Sequence, residues 1–552
     1  MEVGGQPGIP ARGADEVAAA PRAKRLWGNP RPLCARDVQL YRACEDLTEL
    51  LIYGMVVFSP WAFGTTQPWS IWLMNGAGHL LGLLLAAKLA VRWLKGYQPP
   101  RWDEGGKPES REGKAESRPV LRSSTAEGGK QKAEIEVVAS RLTFVLAGLT
   151  AAILGYCLIS AVNARATFHR DQLSFAFHDA SITWLPHSYD SGRTWLAFWS
   201  SLGLAGSFWA IRDWLLGKSE GEERAERRRP QPGGDHSVLF LPARLRRLLW
   251  VLAINGGLLA GEGIVQRLEG SSKLLFLVQP RVNPGAETQF GPYAYRANAS
   301  QYFNLLWPVC LGLWWTLNQS LASQRKAYHL ILVGCVIMAA CPIISTSRGG
   351  ALVTVGIVVL AAFFLLATHL LLAAHRQQAR RTRTITLACL LLCFSGALAL
   401  GYALGWKTLK PRMAHISEDF EGRERMYDRA RQMAADYPLF GTGPDTFESV
   451  FQLYRISTDT YWPAQLHNDW LETRITFGWL GSGLIALALV AVVLRWFARG
   501  GIHGGRRFMI LVWLALAGCL VHARFDFPFQ VHSIVFLFLV LCAILSVLTR
   551  RP

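Results

Sequence analysis

The sequence predicts an all-α, polytopic membrane protein with about twelve transmembrane helices. Of its 552 residues, 51% are hydrophobic and only 18% are charged, which is typical of membrane proteins rather than of soluble enzymes. The apolar residues gather in runs of about 20, the length that a helix needs to cross a hydrocarbon core of about 30 Å. The basic residues collect in alternate connections between these runs.

The predicted spans begin after a cytoplasmic tail at residues 1–46 and form a transmembrane domain over 47–548. They lie at 47–64, 70–94, 141–163, 194–216, 246–265, 300–318, 328–345, 351–374, 385–405, 479–497, 508–523 and 529–548. The last two are the least regular, because "HARFDFPFQ" interrupts the apolar run between them.

Lysine and arginine set the predicted orientation, because cytoplasmic connections carry an excess of both. The clusters are residues 22–25, the 95–140 segment, "RAERRRP" at 224–230, "RQQARRTR" at 376–383 and "RWFARGGIHGGRR" at 495–507. All of them fall on one side if there are twelve spans, which puts both termini in the cytoplasm. The net charge of +19 therefore indicates membrane topology, and no nucleic-acid partner is predicted.

Two further features concern regions without predicted chemistry. The 95–140 segment is rich in Gly, Glu, Lys, Arg and Ser, which predicts a disordered cytoplasmic linker. Most of the ten cysteines lie inside apolar runs. They indicate small buried hydrophobic residues rather than a disulfide framework or a zinc site.

The longest connection predicted outside the cytoplasm covers 406–478, between spans nine and ten. Within it, "GRERMYDRARQMAADYP" predicts an amphipathic helix that ends before Pro438, and "GTGP" at 441–444 predicts a turn. We expect this loop to carry the catalytic residues, because it is crowded with polar groups directly before an apolar span.

Arginines on the outward side are candidates for anion binding, because topology disfavours them there and a guanidinium forks onto phosphate oxygens. Arg348 is the sharpest case: it lies in "IISTSRGGALV", between two apolar runs and before two glycines. A charge at membrane depth costs roughly 2.5–3.5 kcal/mol, so a partner or a water-filled cavity is expected. The alternative for any one of these arginines is a solvated loop charge or an interfacial side chain. The others are Arg296, Arg423, Arg425, Arg455 and Arg474.

His467 is the second candidate, since a neutral imidazole suits a general base that activates a sugar hydroxyl. Asp469 and Glu472 lie close by in sequence and could orient the ring or hold acceptor hydroxyls. The spacing His-x-Asp-x-x-Glu matches no strong metal signature, so we predict neither a metal nor another cofactor. Arg524 and Asp526 are predicted to pair with each other.

Several motifs together resemble one family. "HNDWLETRITFGWLG" at 467–481 resembles the His-Asn-x9-Gly-x-x-Gly signature of the O-antigen ligase and polymerase superfamily, with His467, Asn468, Gly478 and Gly481 at the matching positions. The segment at 422–454 is similar to the family's Arg-bearing helix followed by Pro-Leu-x-Gly-x-Gly-Pro-x-x-Phe. "STSRGG" at 345–350 resembles its Ser-Arg-Gly motif, and 291–308 resembles the segment that opens its next span.

The resemblance implies a membrane glycosyltransferase of the GT-C type. Such enzymes take a glycan from a polyprenyl diphosphate donor and pass it to an acceptor outside the cytoplasmic membrane, with inversion and without a metal. Carried over by motif, diphosphate binding falls on Arg348 and Arg423, and the acceptor-activating role falls on His467. Arg296, Asn468 and Glu472 lie beside the motifs as possible acceptor-binding or supporting residues.

The expected partners are a polyprenyl-diphosphate-linked glycan donor, a glycan or lipid A core acceptor, and membrane lipids. The expected location is the inner membrane of a bacterium, with the active site facing the periplasm. Ligation to a lipid A core, polymerisation of repeat units and transfer to protein share the same donor chemistry, so the sequence leaves all three open. A transporter or flippase of lipid-linked sugars is the alternative from a different class, and it would need charges and broken spans near mid-membrane.

Overall fold

The computed structural model describes residues 33–102, 125–227, 241–319, 326–373, 380–456, 463–497, 502–503 and 505–549. Its described part is mostly helical. The helices are α1 Ala35–Trp61, α2 Pro68–Lys95, α3 Thr125–Val162, α4 Ser191–Leu216, α5 Glu220–Arg227, α6 Ala243–Glu269, α7 Arg296–Gln319, α8 Leu330–Ile344, α9 Arg348–Ala373, α10 Arg380–Ala414, α11 Ile416–Asp436, α12 Phe447–Val450, α13 Asp469–Phe497, α14 Arg506–His522 and α15 His532–Val547.

Seven of the described helices are long and apolar enough to cross a membrane: α2, α3, α6, α8, α9, α10 and α13. Helices α14 and α15 are apolar but shorter. The chain is thus a polytopic membrane protein built from helices. Each of the twelve predicted spans falls on a helix of the structure, and the number of crossings stays a prediction.

Helix α7 lies at the centre of the molecule, because every residue from 301 to 316 is buried. Its buried Asn304 side chain donates to the Gly350 carbonyl at 3.1 Å and accepts from the Thr354 hydroxyl at 2.7 Å. Buried amides of this kind need partners, and here α9 provides them. The same polar residues explain why α7 is less apolar than the helices around it.

Helices α2 and α4 approach each other through glycines. A methyl group at Gly78 would lie 2.3 Å from the Gly203 carbonyl oxygen, and one at Gly206 would lie 2.6 Å from the Gly78 carbonyl oxygen. Without side chains at these positions the two backbones come into direct contact, which is a common way of packing helices in membranes.

The polar segments gather on one side of the helices, which we call the loop face and define as residues 163–190, 415–456, 463–468 and 523–531. Its small hydrophobic core includes Tyr427, Phe447, Leu466 and Ile475, with Phe175 packed against it. The amphipathic helix predicted here is present as α11, which ends at Asp436, before Pro438.

The structure also differs from the sequence predictions at several boundaries. Helix α3 begins at Thr125, inside the predicted 95–140 linker, because the residues before the apolar run include the good helix formers Ala, Glu and Lys. Residues 103–124 of that linker lie outside the described residues. Helix α13 begins at Asp469 rather than at 479, so the end of the predicted 406–478 loop is helical.

Small sheets accompany the helices. Strands β1 Ala166–His169 and β2 Ser174–Phe177 form an antiparallel hairpin on the loop face. Strands β3 Ile502–His503 and β4 Leu548–Thr549 form a short parallel pair. The all-α prediction therefore holds for the transmembrane architecture, while one β-hairpin lies beside α12.

Candidate active site

His467 lies in the turn directly before α13, where two other elements hold its backbone. Its φ is +58°, in the left-handed region that residues with a side chain rarely adopt. The Tyr427 hydroxyl, from α11, donates to the His467 carbonyl at 2.8 Å. Two residues on, the Asp469 amide donates to the Ala523 carbonyl at 2.9 Å. The strained conformation is thus fixed by contacts from both sides, as is common at functional sites.

The His467 imidazole is paired with Asp526. Its Nδ1 lies 3.0 Å from Asp526 Oδ1, and the two side chains are 22% and 6% exposed. The Tyr295 hydroxyl donates to the other carboxylate oxygen at 3.3 Å, and the Phe527 amide donates to Oδ1 at 3.2 Å. A carboxylate accepts at Nδ1 only if that nitrogen carries the proton, so Nε2 keeps the lone pair of a base.

Asp526 is held in its charged form. Burial acts to raise the pKa of its carboxyl group, but the hydrogen bond from His467 and the electrostatic effects of His467, His522 and Arg423 outweigh burial. The resulting pKa of Asp526 lies below its ordinary value. A charged carboxylate is what an imidazole needs if it is to take up a proton during a reaction.

Arg423 projects from α11 toward the same carboxylate. It donates to the Phe525 carbonyl at 2.7 Å, in the turn that carries Asp526. Burial acts to lower its pKa, but Tyr295, Asp526 and Tyr427 outweigh burial and raise it. The guanidinium is therefore cationic beside the His467–Asp526 pair.

Arg348 belongs to a group of arginines where four helices end at the loop face. It begins α9 and donates to the Arg412 carbonyl, near the end of α10, at 3.1 Å. Arg296, at the start of α7, lies near enough to Arg267, Arg348 and Arg412 to be repelled by all three. Arg267, near the end of α6, donates to the Gln289 carbonyl at 2.8 Å. We call Arg267, Arg296, Arg348 and Arg412 the arginine cluster.

The arginine cluster and the His467–Asp526 pair meet at two adjacent residues. Tyr295 donates to Asp526, whereas the next residue, Arg296, is part of the cluster and donates to the Glu287 carbonyl at 2.6 Å. A methyl group at Gly349 would lie 3.0 Å from His522, three residues before Phe525. The start of α9 is therefore packed against the turn that carries Asp526, and the two groups of residues form one site.

Part of this site lies in a region of the chain that matches a known protein family. Residues 333–486 match the family model described as O-antigen ligase. This match supports a similarity of this region of the chain to the O-antigen ligase and polymerase superfamily. The matched region supports a ligase or polymerase role in surface polysaccharide biosynthesis, which is the work of a glycan-transferring enzyme. A comparison with curated proteins gives no match.

The O-antigen ligase match contains five of the six predicted site residues and leaves Arg296 outside. The five within the matched region are Arg348, Arg423, His467, Asn468 and Glu472. Arg296 and Asp526 lie before and after it, although Arg296 belongs to the arginine cluster and Asp526 bonds to His467. The site is thus assembled from more of the chain than the region that matches the O-antigen ligase model.

A kink at Gly478 positions α13, the helix that carries most of the 467–481 motif. Gly478 has φ +59°, and a methyl group there would lie 2.3 Å from the Leu439 carbonyl oxygen. Backbone groups freed by the kink bond to the 438–443 turn: the Thr442 and Gly443 amides donate to the carbonyls of Ile475 and Thr476. In return, the amides of residues 479 and 480 donate to the carbonyls of residues 438 and 439. The kink therefore satisfies its backbone groups through the turn.

Asn468 and Glu472 support the turn that contains His467, directly before α13, which we call the histidine turn. The Asn468 side chain accepts from the Leu471 amide at 3.2 Å and caps the start of α13. Glu472 is 5% exposed and accepts from the Leu466 amide at 2.8 Å. Asp469 accepts from the Phe529 amide at 2.7 Å and ties the turn to the Asp526 segment. Among the residues that the structure describes, no group of three or more His, Cys, Asp or Glu is placed to hold a metal ion.

Sequence reasoning was wrong about one pair and missed several residues. Asp526 bonds to His467 and Tyr295, and it forms no ion pair with Arg524, although the structure describes both residues. Arg267 and Arg412 were missed because each lies within a few residues of a predicted span, 246–265 or 385–405, where an arginine suggests only an interfacial position. Both share the feature that identified Arg348, because each is a basic residue on the outward side, where membrane topology disfavours arginine.

Proposed function

We propose that this protein is an inverting, metal-independent glycosyltransferase that moves a glycan from a polyprenyl diphosphate to an acceptor outside the cytoplasmic membrane. The observation that carries the proposal is the His467–Asp526 pair with Arg423 beside it and the arginine cluster adjoining it. This arrangement provides one base for a hydroxyl and a concentrated positive charge for a leaving diphosphate.

The proposed reaction is a single displacement. His467 Nε2 takes the proton of an acceptor hydroxyl as its oxygen attacks the anomeric carbon, and the bond from that carbon to the diphosphate oxygen breaks. Asp526 stabilises the imidazolium that forms. The diphosphate leaves with the bonding electrons, and attack from the opposite side inverts the anomeric carbon.

The arginines support the metal-independent part of the proposal. Leaving diphosphate carries negative charge that guanidinium groups bind through paired N–H donors. Arg348 and Arg423 are the predicted diphosphate ligands, and Arg267, Arg296 and Arg412 add positive charge nearby. Several fixed cations stabilise a developing anion without rearrangement during the reaction, which is the role a divalent metal has in other transferases.

The proposed substrates and location follow the same chemistry. The donor is a lipid-linked glycan, which brings its diphosphate to the membrane surface where the loop face lies. The acceptor is a second lipid-linked glycan or a lipid A core, and the membrane is the bacterial inner membrane with the site facing the periplasm. Protein glycosylation by the same route is the second enzymatic candidate, since it requires the same base and the same cations.

Transfer by the purified protein tests the proposal. The protein in nanodiscs is incubated with a labelled polyprenyl-diphosphate glycan and either a lipid-linked repeat or a lipid A core, in the presence of EDTA. Label in longer lipid-linked chains identifies a polymerase, and label on the core identifies a ligase. H467A is expected to lose transfer, whereas H415A, which removes an exposed histidine of the loop face, keeps it. Movement of labelled lipid across vesicles without glycan joining would overturn the proposal in favour of a transporter.

A further inference from the structure

A cavity of about 200 Å³ lies beside the β-hairpin, in a part of the loop face that the proposed reaction does not use. Its walls come from β1, from the start of α4 and from α12. The hairpin and α12 both pack on the small core that contains Leu466, the residue before His467. The cavity therefore shares its supporting core with the histidine turn, while none of its lining residues belongs to the His467–Asp526 pair or to the arginine cluster.

The polar groups of this cavity alternate between donors and acceptors. Glu448 on α12 accepts from both Arg170 and Arg193. Arg193 also lies 3.7 Å from Asp445, and its backbone amide donates to the buried Asp190 at 3.3 Å. Two guanidinium groups and two carboxylates thus line the cavity, with the Asp445 carboxylate beside Arg193, so the cavity has no excess of positive charge and does not favour an anion.

Such a lining suits hydroxyl groups. A hydroxyl donates one hydrogen bond and accepts others, so it can bridge a carboxylate and a neighbouring guanidinium. Arg170 is 68% exposed and Arg193 is 36% exposed, which leaves N–H donors of both within reach of a ligand. Charged hydrogen-bonding groups of both kinds at one cavity recognise vicinal hydroxyls, which are the characteristic groups of sugars.

Aromatic rings lead from the cavity along the hairpin. Phe168 lines the cavity and is directly opposite Phe175 in the strand register, with ring centres 4.8 Å apart. Phe177 follows on the same side of β2, 6.3 Å from Phe175, and is 72% exposed. An exposed ring offers a flat apolar surface to the C–H face of a sugar, while the cavity offers hydrogen bonds to its hydroxyls.

We propose that the hairpin cavity is a second carbohydrate-binding site, which holds sugar units of a glycan chain away from the transfer centre. The inference rests on the proposed function in naming the ligand as part of the donor or acceptor glycan. A chain long enough to reach both places gains affinity from the second contact, whereas a single repeat does not. The cavity is expected to make the enzyme favour longer glycans.

Length-dependent kinetics test this site in the full-length protein. KM is measured for lipid-linked glycans of one repeat and of several repeats, with wild type, R170Q, E448Q and the matched control R431Q, which breaks an exposed ion pair on α11. Losing one or two hydrogen bonds to sugar predicts a fall of about five- to tenfold in the preference for the long glycan in R170Q and E448Q. R431Q is expected to keep the wild-type preference. Varying the donor at fixed acceptor, and then the reverse, shows which glycan occupies the cavity.

A binding measurement separates failure of this site from failure of the proposed function. Saturation-transfer NMR is recorded with H467A protein and free glycan released by mild acid from the cell's lipid-linked pool, so no transfer is needed. Signal that E448Q weakens at least fivefold, and R431Q does not, supports the site even if wild type transfers nothing. Equal signals from E448Q and R431Q would overturn the second site. A length preference that R170Q and E448Q leave unchanged would also overturn it. If H467A is inactive in transfer at the same time, the proposed function stands.

Discussion

Replacing Asp526 by asparagine tests whether His467 acts as a base. The amide keeps the shape of the carboxylate and can still accept from His467 Nδ1 and from the Phe527 amide, which lie at 3.0 Å and 3.2 Å in the wild type. Tyr295 can turn its hydroxyl to accept from the new amide. The change therefore removes the negative charge and leaves most of the packing.

The size of the effect follows from the charge pair. An imidazolium and a carboxylate about 4 Å apart attract by about 4 kcal/mol at an effective dielectric constant of about 20. If this attraction is present only in the transition state, its loss lowers kcat by about 10³. His467 is 22% exposed and Asp526 is 6% exposed, so solvent screens part of the attraction. We expect D526N to lower kcat by roughly 10²–10³, within the usual range for general base catalysis.

The assay measures initial rates of glycan transfer with donor and acceptor both saturating, for wild type, H467A, D526N and the double variant. A positioning role predicts that D526N costs nothing further in the H467A background, because Asp526 acts through the imidazole. KM for either substrate should change by less than about threefold, since the charge acts after binding. D428N is the matched control: Asp428 is an exposed acid on α11 that pairs with Arg431.

Two results would refute this account. D526N with kcat within threefold of wild type would show that no imidazolium forms beside Asp526 during the reaction. A double variant much less active than H467A would show that Asp526 acts independently of His467. Melting temperatures of all four proteins, measured in the same nanodiscs, exclude unfolding as the cause of lost activity.

Three other predictions concern the diphosphate site, the kink and the response to acid. R423Q should lower kcat/KM by about 10²-fold, because it removes a cation beside the leaving group. R431Q should leave kcat/KM near the wild-type value. Equal losses in the two variants would contradict the proposed diphosphate-binding role of Arg423. G478A should destabilise the protein by about 1–3 kcal/mol in thermal unfolding, because Gly478 has φ +59° and a methyl group there would meet the Leu439 carbonyl oxygen. The control G483A should not destabilise it, because the space around Gly483 is open. The folded-state pKa of Asp526 lies below its ordinary value, so its charge stabilises the protein above about pH 4, and this stability is lost as pH falls through the folded pKa. The stability difference between wild type and D526N should therefore be constant near neutral pH and shrink in acid, and a difference that grew in acid would contradict the assignment.

The sequence by itself located the membrane helices and one helix of the loop face. Apolar runs of about 20 residues and a 3.6-residue amphipathic period are local properties, so each predicted span falls on a helix and α11 ends before Pro438 as expected. Composition could not place the start of α13, because residues 469–477 mix charged and apolar side chains and form no continuous apolar run. Their helix depends on the Asn468 cap and on the turn that bonds to the Gly478 kink.

The candidate site also has a part that the sequence predicted and a part that only the tertiary structure decided. Motif resemblance identified Arg348, Arg423 and His467, whose residue types and neighbours are written in short stretches of sequence. The partner of His467 is 59 residues away and lies in a different turn, and the arginine cluster comes from the ends of four helices. The sequence determined which residues have the required chemistry. Tertiary packing alone decided which of them meet, because contacts between distant segments depend on how the helices pack and leave no periodic signal along the chain.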